Sequence, residues 1–160
     1  MKITLDTSAL LKELQQYHTD AIRKMEFMVR SFSYKLTMRA IENTPLGDSD
    51  KFAKYYKART YLPQEEGIAR GNWQFSINDV FNLQLISGEA SGNEALDHEK
   101  SQAMVYKLGD TFYIGNAAPY ISALEADHSI QTSGKGIMQP TMDDITGAYS
   151  ADFQYYYNRG

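Results

Sequence analysis

The sequence predicts a single α+β domain in which a long N-terminal helix packs on an antiparallel β-sheet, with a short helix and a C-terminal helix after it. Three observations indicate this class. Residues 6–43 lack Pro and Gly and repeat apolar residues every three or four positions, an apolar–polar alternation follows Gly71, and helical patterns return after Pro119. Strands and helices that occupy separate parts of the chain are typical of α+β domains, whereas α/β domains alternate them. The 160 residues are enough for one domain with a sizeable core.

The first predicted helix carries one apolar stripe along its length. It ends at Asn43-Thr44-Pro45-Leu46-Gly47, because proline restricts the residue before it and glycine opens a turn. At ~1.5 Å per residue this helix is about 50 Å long, which exceeds the diameter of a compact domain of this size. We therefore expect it to overhang, to bend or to lie against another subunit. The stripe comprises Leu11, Leu14, Tyr17, Ile22, Met25, Met28 or Val29, Phe32, Leu36 and Ile41.

A polar and locally basic segment follows, and we predict that residues 46–66 form a protruding insertion. Basic residues interleaved with aromatic ones bind single-stranded nucleic acids in other proteins. The same composition is also typical of a solvated helical excursion with aromatic rings packed beneath it. Both interpretations stay open, and they make the following residues candidate partner contacts: Lys51, Lys54, Tyr55, Tyr56, Lys57 and Arg59.

The strand region begins with the alternating residues Trp73, Phe75 and Ile77. A second alternation covers residues 80–88, and the Gly/Ser/acid-rich residues 87–102 are predicted to be a loop. Residues 103–116 contain two β-rich runs joined at Gly109-Asp110, which predicts a hairpin.

The C-terminal part of the chain is predicted to contain two helices. Pro119 introduces a short helix over residues 119–128, and a loop with the sequence TSGKG follows. The last helix is predicted to begin with Thr141 as its N-cap, with Asp143 and Asp144 in the first turn. No internal repeat or linker divides the sequence, so residues 1–160 form one predicted domain.

The composition excludes several classes of function. A net charge of −4 and a pI near 5.3 argue against a dominant electrostatic grip on nucleic acid, which needs a concentrated positive face. The absence of cysteine excludes disulfides, thiolate nucleophiles and cysteine-based metal sites. We expect no membrane span and no secretory signal, because no apolar run approaches ~20 residues and the N-terminus lacks the signal pattern.

The residues KITLDTSALLKEL, at positions 2–14, permit two interpretations of Asp6. A strand, an acid and a helix in this order resemble the opening of PIN-type ribonucleases, in which Asp6, Glu42 and Asp97 would supply oxygen ligands for Mg²⁺ or Mn²⁺. The same letters predict an ordinary helix start with Asp6 as its N-cap. We prefer the capping interpretation, because Glu42 follows an unbroken helix and Asp97 falls in the predicted loop.

Catalytic patterns are otherwise absent from the sequence. His18, His98 and His128 are scattered, and no serine stands in a G-x-S-x-G turn. The TSGKG segment lacks the spacing of a phosphate-binding loop. We therefore expect neither an enzyme nor a bound cofactor.

Residues 113–130 (YIGNAAPYISALEADHSI) and 136–145 (GIMQPTMDDI) carry a more extensive resemblance. They are similar to the neck proteins of tailed bacteriophages, the head–tail connector or tail-completion family. Thr44-Pro45 and the residues GIARGNWQ resemble the first half of that family's pattern, although residues 46–66 are longer than expected and Ala126 replaces a glycine-type residue. The positions that match are Thr44, Pro45, Trp73, Pro119, Tyr120, Leu124, Glu125, Met138 and Pro140.

This resemblance implies a structural virion protein that forms a ring at the head–tail junction. The implied partners are further copies of the chain, six by preference and twelve as the alternative, together with the portal-side connector and tail proteins. Genomic DNA would touch the ring only while passing through its channel. The implied location is the virion neck, after assembly in the host cytoplasm. A tail-terminator protein that caps the tail tube is the main alternative.

Overall fold

Five helices and two strands occupy the described residues of the computed structural model, which are 7–46, 67–79, 91–126 and 135–157. A long helix, a two-stranded antiparallel sheet and shorter helices confirm the predicted α+β class. The elements in chain order are α1 (Ser8–Asn43), α2 (Ile68–Gly71), β1 (Trp73–Ile77), α3 (Asn93–Ala103), β2 (Phe112–Asn116), α4 (Ile121–Glu125) and α5 (Met138–Tyr157).

Helix α1 runs unbroken over 36 residues, about 54 Å at ~1.5 Å per residue. It ends at Asn43 as predicted, because Thr44 adopts an extended conformation (φ −79°, ψ 121°) before Pro45. The beginning differs from the prediction. The N-cap position is Thr7, whose side chain makes no capping hydrogen bond, and Asp6 lies outside the described residues.

The sheet pairs β1 with β2 in antiparallel register, with Trp73 opposite Asn116 and Ile77 opposite Phe112. The predicted strand from Trp73 to Ile77 is therefore confirmed. Aromatic packing links the sheet to α1, because the ring of Phe112 lies 5.7 Å from that of Phe75 and 6.2 Å from that of Phe32, measured between centroids. The second predicted strand, residues 80–88, lies outside the described residues.

The predicted loop over residues 87–102 is wrong, since Asn93–Ala103 is the helix α3. Its buried face consists of Ala95, Glu99 and Ala103, and it packs against α1 and β1. Small alanine side chains allow this close packing but give only a weak apolar signal in the sequence. The approach is closest at Gly92, where an added Cβ would lie 2.6 Å from Cγ2 of Ile41.

The predicted hairpin at Gly109-Asp110 is also wrong. Strand β2 pairs with β1, whereas residues 104–111 form turns. Tyr106 is buried, and its carbonyl oxygen accepts a 2.7 Å hydrogen bond from Nη2 of Arg30 on α1. This contact directs the backbone of residue 106 toward α1 and away from a strand partner. Met104 and Val105 belong to a run that favours a strand locally, but in the structure these two residues lie in a turn.

The two C-terminal helices exist, but the start of the second differs from the prediction. Helix α4 lies within the predicted range, which confirms the short helix. Helix α5 begins at Met138, so Thr141 lies in its first turn and is not the N-cap, and Asp143 and Asp144 come after that turn. Thr141 instead donates its hydroxyl to the carbonyl oxygen of Ile137 at 2.7 Å.

The core lies where the C-terminal third of α1 meets α2, α3, β1 and the starts of α4 and α5. Its buried members come from each of the four described ranges, which ties these ranges into one packed unit. They are Ala40, Ile41, Ile68, Ala69, Trp73, Ala95, Ala118, Leu124 and Ile137.

The two ends of the predicted insertion meet. The backbone N–H of Gly67 donates to the carbonyl oxygen of Leu46 at 3.0 Å. The two described residues that flank positions 47–66 are therefore in direct contact. Positions 47–66 include all six candidate partner contacts named above, which lie outside the described residues.

Replacing residues 47–66 with a short glycine linker should leave the domain folded. The linker has to join two residues that already touch, and loop-closure entropy changes by only about 0.6 kcal/mol per doubling of loop length. Circular dichroism and thermal unfolding should show a cooperative transition close to that of the full chain. Loss of cooperative unfolding would mean that residues 47–66 form part of the core.

Candidate functional site

The residues that resemble the neck-protein pattern gather around one junction, which we define by Thr44, Trp73, Tyr120, Glu125 and Met138. Trp73 belongs to the buried core, and Tyr120 and Met138 pack against it. Of the other matching residues, Leu124 is a core residue, Pro45 and Pro140 are half-buried, and Pro119 is exposed.

Thr44 joins the end of α1 to the start of β1. Its hydroxyl accepts a 2.9 Å hydrogen bond from the indole Nε1 of Trp73 and donates to the carbonyl oxygen of Ala40 at 2.6 Å. Its own carbonyl oxygen accepts a 2.6 Å bond from Nε of Arg70. Because Thr44 and Trp73 are both buried, these bonds replace water for groups that would otherwise be left unpaired.

Helix α2 is held between two side chains of the C-terminal half. The backbone N–H of Ala69 donates to the phenol oxygen of Tyr120 at 3.2 Å, and Nδ2 of Asn116 donates to the carbonyl oxygen of Ala69 at 2.6 Å. Asn72, the residue that follows this helix, donates from Nδ2 to the carbonyl oxygen of Ile68 at 2.7 Å. Burial raises the pKa of the Tyr120 phenol, against the opposing effect of the hydrogen bond from the Ala69 N–H.

Glu125 caps helix α5 from the end of α4. Its carboxylate oxygens accept hydrogen bonds from the backbone N–H groups of Ile137, at 3.1 Å, and Met138, at 3.2 Å. A negative charge is favourable at this position because the helix dipole is positive at its N-terminus. Gly136 permits the approach, since its φ is +69° and an added Cβ would lie 2.5 Å from Oε2 of Glu125.

The start of α5 is also tied to the end of α1. Nδ2 of Asn43 donates to the hydroxyl oxygen of Thr141 at 3.1 Å, and Thr141 is fully buried. Pro140 is tolerated in the first turn because a backbone N–H there has no partner within the helix. The residues of the junction thus fix the ends of four elements relative to one another.

A separate buried polar cluster lies between α1 and α3. The carboxyl oxygen Oε1 of Glu99 and the hydroxyl oxygen of Ser33 are 2.9 Å apart, and the same hydroxyl lies 2.9 Å from the carbonyl oxygen of Arg30. A hydroxyl has one proton to donate. The Ser33 hydroxyl therefore shares its proton between the Glu99 carboxyl and the carbonyl oxygen of Arg30, a competition that a neutral Glu99 carboxyl would relieve.

Burial favours this neutral form of Glu99, which is 0% exposed. Desolvation raises the pKa of the Glu99 carboxyl, against the opposing effects of the Ser33 hydroxyl and the Lys100 ammonium group. Within the described residues, Oε2 of Glu99 and Oγ1 of Thr37 are buried without a hydrogen-bond partner. A carboxylate here would therefore be poorly solvated.

The acids proposed for a PIN-type metal site do not come together in the described residues. Glu42 pairs with Arg39 at 2.7 Å and Asp97 with Lys100 at 3.2 Å, each on its own helix surface. Asp6 lies outside the described residues. Across residues 7–46, 67–79, 91–126 and 135–157, no three His, Asp or Glu side chains are grouped to hold a metal ion.

Comparison with known proteins adds no relative. No family model, curated protein or solved structure matches this chain. Within the described ranges, every helix is too short or too polar to cross a membrane.

The sequence does not predict the contacts that several residues of this site make. The side chains of Arg70, Asn72 and Asn116 donate hydrogen bonds to backbone carbonyl oxygens. The periodicity of apolar residues does not indicate bonds of this kind. The sequence predicts a loop around Glu99 and therefore does not indicate that this side chain is buried. Gly136 carried a weak signal, because a glycine just before a helix often indicates a special backbone conformation.

Replacing Thr44 tests the link between α1 and β1. Thr44→Val keeps the shape but leaves the Trp73 indole N–H without its acceptor, which should cost about 1–3 kcal/mol in the free energy of unfolding. Trp73 is the single tryptophan, so its indole N–H resonance in an NMR spectrum reports the bond directly. We expect that resonance to shift in Thr44→Val and to stay in place in Thr44→Ser. An unshifted resonance in the valine variant would contradict the bond.

Glu99→Gln tests the neutral carboxyl. Because the pKa is raised in the folded state, the contribution of Glu99 to stability is present below the unfolded pKa of about 4.3 and is lost as the pH rises through the folded pKa. The glutamine variant should therefore melt above the wild type at pH 8, with a gap that narrows toward pH 4. Glu94→Gln, an exposed change on the same helix, should show no comparable trend. A gap independent of pH would refute the assignment.

Proposed function

We propose that the chain is a structural virion protein of the neck of a tailed bacteriophage. It forms a ring at the head–tail junction and joins the tail to the DNA-filled head, without catalysis and without a cofactor. The observation that carries this proposal is the junction. Matching residues spread from Thr44 to Pro140 meet there and fix the ends of four elements, as expected of a packing motif.

The surface of α1 supports a role in assembly. One face of its C-terminal third is buried in the core, whereas Leu11 and Leu14 near its N-terminus are 57% and 55% exposed. A helix about 54 Å long gives a small domain a surface that reaches well beyond its own core. Subunits of a ring need such a surface, because each must contact two neighbours.

The net negative charge of the chain is consistent with a ring that touches passing DNA without binding it tightly. A net charge of −4 does not hold the phosphate backbone firmly, and a channel through which a genome passes should not hold it. The portal-side connector and tail proteins are then the lasting partners of the ring. Six copies follow from the symmetry of tails, with twelve as the alternative from the symmetry of portals.

Imaging of the virion tests this function. We expect density for the chain as a ring around the channel axis at the head–tail junction, and particles lacking the protein should accumulate as filled heads and separate tails. Supplying the wild-type or the Thr44→Ser chain should restore joined particles.

Other locations would overturn the proposal. Density at the end of the tail tube before head joining would identify a tail terminator instead. Density in the capsid shell or a tail fibre, or absence from all particles, would remove the neck function altogether.

A further inference from the structure

The segment from α3 to the turn after it lies between two glycines with left-handed backbone conformations. Gly92 has a φ of +75° and Gly109 a φ of +101°. We define residues 93–108, between these two glycines, as the arm. Lid and domain motions commonly bend at a few small residues at the ends of elements, which absorb the change in φ and ψ. The two ends of the arm therefore have the backbone that such a motion needs.

The arm contributes little apolar surface to the core. Ala95 is its member of the buried core cluster, and its other buried apolar side chains are Ala103 and Tyr106. The neighbouring elements α1 and β1 supply larger side chains, among them Ile41 and Trp73. Segments with few buried apolar contacts open at a lower free-energy cost than the core. Opening of the arm alone therefore costs less than unfolding of the whole domain.

Side chains of α1 hold the arm by hydrogen bonds. One of these contacts is buried, and the others lie nearer the surface. They join Ser33 to Glu99 at 2.9 Å, Arg30 to the carbonyl oxygen of Tyr106 at 2.7 Å, and Glu26 to the N–H of Leu108 at 3.3 Å. The buried contact includes the carboxyl group on the buried face of α3, so the charge of that carboxyl affects how firmly the arm is held.

The charged groups near Glu99 are bonded to other partners. Helix α3 packs against α1, α2 and β1, and β1 contains no titratable residue. Lys100 lies over the ring of Tyr34 on α1, with Nζ 5.6 Å from the ring centroid. The cations pair as follows: Lys100 with Asp97 at 3.2 Å, Arg30 with Glu26 at 3.6 Å, and Arg70 with the carbonyl oxygen of Thr44 at 2.6 Å. An ionised Glu99 would therefore compete for cations that already have partners.

An ionised Glu99 is poorly solvated while the arm is closed. The residue is 0% exposed, and its Oε2 and the Oγ1 of Thr37 are buried without a hydrogen-bond partner among the described residues. The hydroxyl of Ser33 offers one proton, for which the carbonyl oxygen of Arg30 competes. Because an unpaired buried charge costs far more free energy than a buried neutral group, loss of the proton favours any state in which the carboxylate reaches water.

We infer that the contact between Glu99 and Ser33 is a proton-controlled latch for the arm. While the carboxyl is neutral, the arm stays on α1. When the carboxyl loses its proton, the arm opens between Gly92 and Gly109 and brings the carboxylate to water, and the junction around Thr44 stays in place. Opening increases as the pH rises, because the open state binds fewer protons than the closed state.

Amide hydrogen exchange followed by NMR tests the latch in the full chain. The amides of Leu96 and Met104 are hydrogen-bonded within the arm, and those of Thr44 and Thr141 are hydrogen-bonded at the junction. Rates are divided by the intrinsic exchange rate at each pH, under conditions in which the arm closes faster than an open amide exchanges.

We expect the corrected exchange of the arm amides to accelerate by up to about tenfold per pH unit above the unfolded pKa of about 4.3. At pH 8 these amides should exchange at least roughly tenfold faster than the junction amides, because the arm opens without the rest of the domain. Arm amides whose corrected exchange does not change with pH would overturn the latch. Arm and junction amides that exchange at the same rate would also overturn it, because opening would then be global.

Two glutamine variants assign the pH dependence to one carboxyl. Glu99→Gln keeps the shape of the side chain but cannot ionise, so the corrected exchange of the arm should become independent of pH. Glu94→Gln removes the same charge from an exposed position of the same helix and should keep the wild-type acceleration. A Glu99→Gln chain that keeps the acceleration would overturn the latch. The wild-type profile tests the latch by itself if this variant does not fold.

Ser33→Ala tests the other half of the latch. Burial raises the pKa of the Glu99 carboxyl, and the Ser33 hydroxyl opposes that rise. The acceleration ends where the carboxyl of the closed arm also ionises, so removal of the hydroxyl should extend the accelerating range to higher pH. An unchanged or shorter range would overturn the latch. All these measurements use the purified chain, so their outcome is independent of the location of the protein in a virion.

Discussion

The hydrogen bond from Trp73 to Thr44 is the contact on which the arrangement of the domain depends. Thr44 is the first residue after α1 and Trp73 the first of β1, so their bond sets the direction of the sheet relative to the long helix. The neighbouring residue Pro45 keeps Thr44 extended, which places its hydroxyl and carbonyl groups where Trp73 and Arg70 can reach them. Once this corner is fixed, β2 follows by pairing and α3 by packing on α1 and β1.

The sequence predicts those parts of the fold whose signal is local. A stripe of apolar residues and a Thr-Pro stop predict α1, and the alternation from Trp73 to Ile77 predicts β1. Helix α3 was missed because Ala95 and Ala103 carry little hydrophobic signal, and their value lies in letting helices approach closely. The hairpin prediction failed because strand pairing depends on a partner elsewhere in the chain, which residues 103–116 alone do not reveal.

In the candidate site, too, the sequence indicates some features and not others. The resemblance selected Thr44, Trp73, Tyr120 and Glu125 without indicating what they contact. Their roles become clear only in three dimensions, where a carboxylate on one helix caps another and a phenol receives a backbone N–H from a third. Such contacts join residues far apart in the sequence, and neither composition nor periodicity records them. Buried groups of this kind specify one arrangement because a shifted packing would leave them unpaired.

The hydrogen bond between Leu46 and Gly67 has a consequence for how this protein diversifies. Because the two flanking residues already touch, we expect that the segment between them can change in length without separating them, so that the bond between Thr44 and Trp73 stays intact. A chain built on this plan could therefore exchange one segment without changing the contacts of its core. The same position is suited to grafting an epitope or a fluorescent reporter, because the residues on either side of the insert are already in contact.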